Sequence, residues 1–172
     1  MSHLSSRYPE VRFYNPNLTE VQEDVAIGPG TRVGSFTLVH AGAIIGADCT
    51  IGSHCNICHC EIGANVSIQT ACHITRGTRI EDDVFIGPGV LTLNDTLMGN
   101  ELRAPLIMRG ARIGGGSLIL PGIVIGENAF VGAGSVVTRD IARGTVSFGN
   151  PARARTFSGP VDRKTIEPIN RA

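Results

Sequence analysis

Residues 51–60, IGSHCNICHC, bring three cysteines and two histidines together within ten positions. Cysteine thiolates and histidine nitrogens are preferred protein ligands of zinc, and thiolates also carry redox chemistry. Cysteine is equally a small apolar residue that is often buried without a reactive role. The stretch therefore has three interpretations, and the pattern of residues around it must decide between them.

A six-residue repeat runs through this stretch and far beyond it. Ile or Val returns at every sixth position over residues 21–57, again over 62–86 after a slip of one residue, and again over 107–137. Glycine often follows the Ile or Val, and the fourth residue after it is usually small. The eighteen Ile/Val positions are Val21, Ile27, Val33, Val39, Ile45, Ile51, Ile57, Ile62, Ile68, Ile74, Ile80, Ile86, Ile107, Ile113, Ile119, Ile125, Val131 and Val137.

A period of six fits neither an α-helix nor a simple alternating strand. It fits short strands joined by tight corners, because glycine accepts the backbone of a corner and β-branched residues suit stacked strands. The spacing therefore predicts an all-β solenoid with three sides per turn, whose turns stack at the ~4.8 Å spacing of paired strands.

The hexapeptide [IV]-G-x-x-[small]-x resembles the repeat of the left-handed parallel β-helix acyltransferases. The resemblance covers roughly residues 21–153 and implies a left-handed parallel β-helix of about six triangular coils. Residues 1–20 would then form an N-terminal cap segment, residues 92–106 an ejected loop, and residues 154–172 a C-terminal tail.

The bulk composition excludes several other classes of protein. The formal net charge of zero gives no indication of a nucleic-acid partner or of binding to an anionic membrane surface. No apolar run approaches the roughly 18–20 residues of a membrane span, and the N-terminal sequence lacks the apolar core of a secretory signal. We expect a cytoplasmic protein with reduced thiols and no membrane span.

The repeat gives the cysteines of the opening stretch a structural role. Three cysteines fall on its small position and are predicted to be buried: Cys49, Cys55 and Cys72. His54 and His59 resemble two of the three zinc ligands of the γ-class carbonic anhydrases, which share this fold. The third ligand of that family would fall on Leu18, and catalytic zinc needs three protein ligands. We expect no metal, and a γ-carbonic-anhydrase-like zinc hydratase stays as an alternative.

The run TLNDTLMGNELRAPL at residues 92–106 breaks the period, so a polar loop must leave the solenoid wall. Its surroundings, EDDVFIGPGVLTLND and IGGGSLILPG, resemble the N-acetyltransferases that modify amino-sugar nucleotides for bacterial surface polysaccharides such as lipopolysaccharide. That resemblance assigns the asparagine of their loop to Asn94 and makes Asp95 a second candidate, as acceptor or weak base. Because a sugar amine is partly neutral near pH 7, it needs orientation by a hydrogen bond more than a strong base.

Three alternatives to this interpretation of the loop stay open. Sugar and xenobiotic O-acetyltransferases carry a histidine here as general base, because an alcohol needs one, whereas this chain has no histidine after His73. Another amino-sugar acetyltransferase subgroup uses a coil histidine in a His-x-Cys-x-Ile-Gly context, which His59 matches one residue short. A non-catalytic scaffold is the last alternative, because fold does not dictate function.

The same resemblance implies acetyl-CoA as co-substrate, bound in a groove between two subunits of a homotrimer. The pantetheine arm would lie against small residues of the later coils, and the phosphates and adenine near the VVTR and GNPAR stretches. The matching positions are Gly114, Gly132, Ala133, Ser135, Arg139, Asn150, Pro151 and Arg153. The sequence therefore predicts an acetyl-CoA-dependent N-acetyltransferase of a nucleotide-linked amino sugar.

Overall fold

The computed structural model describes residues 3–96 and 101–155, which form a solenoid of short, mostly parallel strands. Residues 97–100 of the predicted loop and 156–172 of the predicted tail lie outside the described residues. Helix α1 (His3–Arg7) and a 3₁₀ helix (Pro16–Leu18) lie near the N-terminus.

The strands are β1 (Arg12–Phe13), β2 (Glu20–Val21), β3 (Ala26–Ile27), β4 (Arg32–Val33), β5 (Leu38–Val39), β6 (Ile44–Ile45), β7 (Thr50–Ile51), β8 (Asn56–Ile57), β9 (Glu61–Ile62), β10 (Ser67–Ile68), β11 (His73–Ile74), β12 (Arg79–Ile80), β13 (Phe85–Ile86), β14 (Leu91–Thr92), β15 (Leu106–Ile107), β16 (Arg112–Ile113), β17 (Leu118–Ile119), β18 (Val124–Ile125), β19 (Phe130–Val131), β20 (Val136–Val137), β21 (Val146–Phe148) and β22 (Arg153–Arg155).

Three sheets share strands β1 to β20 in strict rotation, which confirms the predicted three-sided all-β solenoid. Sheet A has the order β1-β4-β7-β10-β13-β16-β19-β21-β22, sheet B the order β2-β5-β8-β11-β14-β17-β20, and sheet C the order β3-β6-β9-β12-β15-β18. The turns number about seven rather than the predicted six, because β1, β14 and β21 add sides that the Ile/Val series does not mark. We number the turns 1 to 7 by the successive strands of sheet B. A turn with a higher number is described as lying above one with a lower number.

Three columns of tight turns connect the sheets along the whole prism. The AB corner links a strand of sheet A to the next strand of sheet B, as at residues 34–37. The BC corner links sheet B to sheet C, as at 40–43, and the CA corner links sheet C to sheet A, as at 46–49.

The interior of the prism is the predicted aliphatic ladder. All of the predicted Ile/Val positions are buried except Val21 and Ile27, which pack partly buried against the same core. Each fully buried side chain of this kind contributes about 1.5–3 kcal/mol. In turn 5 the inward position of sheet B is Thr92, a fully buried residue that the Ile/Val series passes over.

Hydrogen bonds join each turn to the next. The backbone N–H of Gly34, for example, donates to the carbonyl of Ile51 at 2.8 Å. Side chains at the small position add to this ladder: Thr31 Oγ1 donates to the Gly46 carbonyl at 2.9 Å and accepts from the Cys49 N–H at 3.1 Å. The small position is therefore stabilised by a small side chain that can also donate a hydrogen bond, as Thr, Ser and Cys can.

The one-residue slip and the loop both lie on the BC corner. Between β8 and β9 this corner is shortened by one residue, and Cys60 takes the buried small position that Ala43 holds one turn earlier. The loop leaves after β14 and returns at β15, so it is inserted between sheets B and C and replaces no side. Thr92 and Leu106, the two ends of the predicted loop, belong to strands.

Different elements cover the two ends of the prism. At the first turn, Leu4 of α1 is buried and the Tyr8 hydroxyl donates to the Val25 carbonyl at 2.8 Å. Strand β1 lies within the predicted cap segment, which thus supplies a side of the solenoid as well as a cover. At the last turn, β22 folds back antiparallel to β21. Among the described residues, none of the helices is long and apolar enough to cross a membrane.

Candidate active site

The cysteines of the opening stretch are structural parts of the coil. Cys49, Cys55 and Cys72 are buried, as predicted, and each thiol donates to a carbonyl of the following turn at 3.1 Å. Burial raises the pKa of the Cys60 thiol to about 12. A hydrogen bond with the Cys72 thiol, together with burial, raises the pKa of Cys55. Burial also raises the pKa of Cys49, so the thiols of Cys49, Cys55 and Cys60 are held protonated, whereas the hydrogen bond with Cys55 lowers the pKa of Cys72.

The two histidines of that stretch lie on different corners. His54 is exposed on the AB corner, where its ring stacks on Phe36. His59 is exposed on the BC corner, and its ring covers Gly42 so closely that a Cβ on Gly42 would lie 3.0 Å from it. The width of sheet B separates the two rings within one copy of the chain. In the part of the chain that the structure describes, no three His, Cys, Asp or Glu side chains are grouped as a metal site.

Asn94 stands at the base of the loop and is held in one orientation. Its Nδ2 donates to the Arg76 carbonyl at 2.8 Å, and its own carbonyl accepts from the Arg103 N–H at 2.8 Å. Asp95, the next residue, is exposed and forms a β-bridge with Leu102 on the returning segment. Because the amide nitrogen is engaged with Arg76, Oδ1 is the atom that Asn94 can offer as an acceptor.

His59, the second catalytic candidate, lies on the same corner as Asn94. It belongs to turn 3 and Asn94 to turn 5, so about 10 Å separates their levels at ~4.8 Å per turn. A catalytic group must come within about 2.6–3.2 Å of the proton it handles. The two side chains of one copy therefore cannot both act on the same amine.

The glycines predicted to admit the pantetheine arm have a structural function of their own. A Cβ on Gly114 would overlap the backbone N of Ala133, and a Cβ on Gly132 would lie 2.6 Å from the Cβ of Phe148. Gly28 and Gly46 are closed in the same way by the turn above them, so this crowding comes from coil stacking. These glycines alone do not identify a cofactor site.

A different pair of glycines on the AB corner does face open space. Gly116 and Gly134 are exposed, and a Cβ added to either would meet no atom within 4 Å. They leave a strip without side chains along this corner in turns 6 and 7, which we call the AB groove. Sequence analysis missed both residues, although the runs GGGS and GAGS each end one residue after the glycine concerned.

The remaining cofactor candidates are distributed around this groove. Ala133 is exposed beside Gly134, whereas Ser135 is fully buried and its hydroxyl donates to the Gly132 carbonyl, so only its small size can matter to a ligand. Arg139 is exposed on the BC corner of turn 7. The other three are exposed in or beside the turn between β21 and β22: Asn150, Pro151 and Arg153.

The outward face of sheet B connects the groove, the loop and the two histidines. Its upper strands present Leu118 and Val136, and its middle strands present His73 and Asn56. Asn56 Oδ1 is 2.8 Å from His40 Nε2 on the BC corner. Burial, and to a smaller extent the nearby charge of His40, lowers the pKa of His73. The face therefore changes from apolar above Asn94 to polar in the two strands below it, β11 and β8.

Thr92 is a further residue of the site that sequence analysis did not identify. Its Oγ1 accepts from the Thr75 N–H at 2.8 Å, which ties the strand before Asn94 to the turn below. Position 92 is six residues after Ile86, so the period pointed to it, but a search for Ile and Val does not find a threonine.

The described geometry can be compared with known proteins. Residues 104–139 match the family model described as bacterial transferase hexapeptide (six repeats), which confirms the predicted transferase repeat in that part of the chain. A crystal structure of a Bacillus cereus protein with the provisional name of an acetyltransferase superposes with a TM-score of 0.58 and 26% identity, and covers 91% of this chain and 88% of that one.

Two curated relatives share parts of the sequence. The chain is 28% identical over 144 residues to the bifunctional protein GlmU of Synechococcus sp. (strain CC9605), over 84% of this chain and 31% of that protein. It is 52% identical over 52 residues to dTDP-3-amino-3,6-dideoxy-alpha-D-galactopyranose 3-N-acetyltransferase of Aneurinibacillus thermoaerophilus, over 30% of this chain and 27% of that protein. The chain thus spans about a third or less of the length of these two relatives.

Proposed function

We propose, on the premise that the chain carries the repeat of the bacterial hexapeptide transferases, that it is an acetyl-CoA-dependent N-acetyltransferase. Its acceptor in this proposal is the amine of a nucleotide-linked amino sugar. The observation that carries the proposal is the Asn94 amide, fixed by Arg76 at the base of the loop, on the BC corner one turn below and across sheet B from the open positions of the AB corner. The Aneurinibacillus relative, whose name is that of an N-acetyltransferase of a dTDP-linked amino sugar, supports the acceptor class.

In this reaction the main task of the protein is to position the amine and the thioester relative to each other. The neutral amine attacks the carbonyl carbon of the acetyl thioester, the C–N bond forms, and the C–S bond breaks to release CoA. Asn94 Oδ1 accepts a hydrogen bond from the amine and holds its lone pair towards the thioester. Asparagine cannot take up the proton, which passes to Asp95 or to the departing thiolate. Backbone N–H groups of the glycine-rich corners supply the hydrogen bonds that the developing oxyanion needs.

We place acetyl-CoA in the AB groove and on the upper part of sheet B, between two copies of the chain in a homotrimer. The small residues Gly116 and Gly134 allow the pantetheine arm to approach, and Leu118 and Val136 give it an apolar floor. The loop supports a subunit contact, because Leu102 is 62% exposed and would be covered by a neighbouring copy.

The test is a free-thiol assay with acetyl-CoA and a panel of nucleotide-linked amino sugars. Asn94→Ala should lower turnover tenfold or more, which corresponds to about 1.4 kcal/mol in the barrier. Asn65→Gly is the matched control, because Asn65 is an exposed asparagine on the CA corner. Equal turnover of Asn94→Ala and the wild-type protein would remove Asn94 from the mechanism.

The panel also includes the matched sugars that carry a hydroxyl in place of the amine. Acetylation of the amines alone supports the proposal. Comparable transfer to the hydroxyls would indicate an O-acetyltransferase, and an absence of transfer together with an absence of acetyl-CoA binding in calorimetry would indicate a scaffold.

A further inference from the structure

The AB corner contains a phenylalanine at a corner position that is glycine, aspartate or asparagine in most of the described turns. Phe36 has a φ of 58°, in the left-handed region. Most of the other non-glycine residues with positive φ in the described chain are Asp or Asn, which tolerate this conformation, whereas a bulky residue in it is a genuine outlier. Such strain persists where the structure has a use for the side chain, and it is most common at binding sites.

Packing of the core does not explain this residue. The Phe36 side chain is 55% exposed, and its ring stacks on the exposed ring of His54 from the next turn. The ring centroids are 4.9 Å apart and the planes differ by 12°, which is the geometry of a favourable offset stack. His54 also has positive φ, at 58°. Two successive turns therefore hold flat rings outward in a strained backbone.

The column above the stack is empty enough to take another ring. The same corner position is Ala71 in turn 4 and Gly89 in turn 5, and both are small. Further up, Gly116 and Gly134 face open space. A planar group lying on the free face of His54 would find only small residues, Ala71 and Gly89, at this corner position in the next two turns.

Sheet B leads from this position to Asn94. His54 precedes turn 3 and Asn94 follows turn 5, so their levels differ by about 10 Å along the axis. Between them the outward residues are Asn56, His73 and Leu91, the first two of which are polar and half-buried. The proposed acetyl-CoA groove occupies the turns above Asn94, which leaves these lower turns to the acceptor.

We propose that the Phe36–His54 stack is the platform for the nucleobase of the acceptor, whose ribose and diphosphate cross sheet B by Asn56 and His73 to bring the amine to Asn94. This inference rests on the proposed function and names the part of the site that recognises the nucleotide. Aromatic platforms bind any base by stacking, and hydrogen bonds from Asn56 and His73 would contact the ribose and phosphates.

The experiment separates a binding role from a structural one by using the residue that the repeat itself prefers. Asparagine occupies the same corner conformation at Asn65 and Asn128, so Phe36→Asn removes the ring without disturbing the backbone. In calorimetry, UDP, dTDP and GDP are titrated into the full chain. We expect at least one of them to bind the wild-type protein, and Phe36→Asn to weaken that binding tenfold or more. Its melting temperature should be unchanged or higher, and its acetyl-CoA affinity unchanged.

Two controls sharpen this result. His54→Asn should weaken nucleotide binding like Phe36→Asn, whereas Tyr14→Ser removes an exposed aromatic ring at the start of the same corner in turn 1, outside the stack, and should leave nucleotide binding intact. Equal nucleotide affinity of Phe36→Asn and wild type would overturn the proposal, and so would an equal loss in Tyr14→Ser. A change in the oligomeric mass of Phe36→Asn in light scattering would also overturn it, because the stack would then cover a second copy of the chain.

The kinetic readout distinguishes this proposal from the proposed function. With transfer established, Phe36→Asn should raise the KM for the nucleotide-linked amino sugar at unchanged kcat, and leave transfer to a simple glycoside of the same sugar unaffected. If no amino sugar is acetylated but nucleotide binding still depends on Phe36, the platform stands and the proposed function fails. If transfer occurs with a KM that is indifferent to Phe36, the proposed function stands and the platform fails.

Discussion

At the CA corner, the residue with positive φ is always glycine, aspartate or asparagine, whereas at the AB corner it is Phe36, then His54, Ala71 and three glycines. The CA residues fill one another's space: a Cβ on Gly110 would overlap Asn128 Oδ1, and Asn65 Nδ2 donates to Asp83 Oδ1 at 2.8 Å. At the AB corner Gly116 and Gly134 face open space, as Gly144 does in the last turn of the CA corner, and the aromatic rings of Phe36 and His54 project outward.

The two corners share one backbone geometry, so their difference lies in the side chains alone. The CA corner is closed by side-chain hydrogen bonds and by the ion pair of Arg109 with Asp82 at 3.1 Å. The AB corner leaves an open groove above a strained aromatic stack. In a solenoid each turn contacts only its neighbours, so one column can be optimised for stability while another is left free for ligands.

All three corners are supported by the same interior ladder of buried Ile and Val side chains. Ile113→Ala should therefore lower the free energy of unfolding by about 2–5 kcal/mol, because the cavity it leaves is enclosed by neighbouring turns. Ile44→Ala is the matched control, since Ile44 is 51% exposed on the outer face of sheet C and its loss should stay within about 0.5 kcal/mol. Urea unfolding measures both, and equal losses would contradict the inward ladder.

A pair of glycines tests the two corners directly. Gly110 on the CA corner and Gly116 on the AB corner both have a φ of 68°, so alanine at either position carries about 1–2 kcal/mol of backbone strain. Gly110→Ala should lose more stability than this, because its methyl group collides with Asn128. Gly116→Ala should lose only the stability that corresponds to this backbone strain, but it should weaken acetyl-CoA binding severalfold in calorimetry. The opposite ranking in either measurement would remove the distinction between the corners.

Placing the residue type of one corner on the other should change the free energy of unfolding by a smaller amount. At the AB corner the change should have the opposite sign, a gain in stability. Phe36→Asn should raise the free energy of unfolding by about 1 kcal/mol, because it relieves strain without removing a buried ring. The reciprocal change, Asn65→Phe, should lower it, since it adds strain and breaks the bond to Asp83. Thermal unfolding of both variants is the measurement, and a loss of stability in Phe36→Asn would show that the ring serves packing.

The smallest effect concerns pH and the polar part of sheet B. Burial lowers the pKa of His73, so the folded chain takes up this proton at a lower pH than the unfolded chain, in which the histidine titrates near its ordinary value of about 6.5. Stability should therefore fall as the pH drops below about 6.5. His73→Gln should make the decline between pH 7 and pH 5 shallower in urea unfolding, and His3→Gln, on the exposed face of α1, should not. Parallel curves for His73→Gln and wild type would contradict this assignment.

The sequence was sufficient for the solenoid because each inward position carries its own signal. A run of Ile and Val six residues apart has no other regular solution, and the buried cysteines follow once Cys49 and Cys55 are placed on the small position. The count of turns was too low because β1, β14 and β21 do not follow the pattern: the inward residues there are Phe13, Thr92 and Ser147. The six-residue period detects the sides of the solenoid whose inward residue is Ile or Val. It misses the sides whose inward residue is of another type.

The site was less accessible from sequence for a physical reason. The loop could be recognised by its interruption of the period, but its attachment to the BC corner depends on Thr92, which looks like a loop residue. The aromatic stack was missed because Phe36 and His54 are 18 positions apart, one full turn, and nothing in either hexapeptide shows that their rings meet. Contacts between neighbouring turns, not properties of single repeats, create the candidate site.

The antiparallel hairpin at the last turn has a consequence for assembly. An exposed edge of parallel strands is a template on which a further strand can pair, and a regular solenoid presents such an edge at each of its two ends. Strand β22 reverses the chain direction on sheet A and carries the exposed, positively charged Arg153 and Arg155. Another copy arriving end to end would find neither the parallel register nor a neutral surface, so growth of the prism into a fibre is opposed at this end.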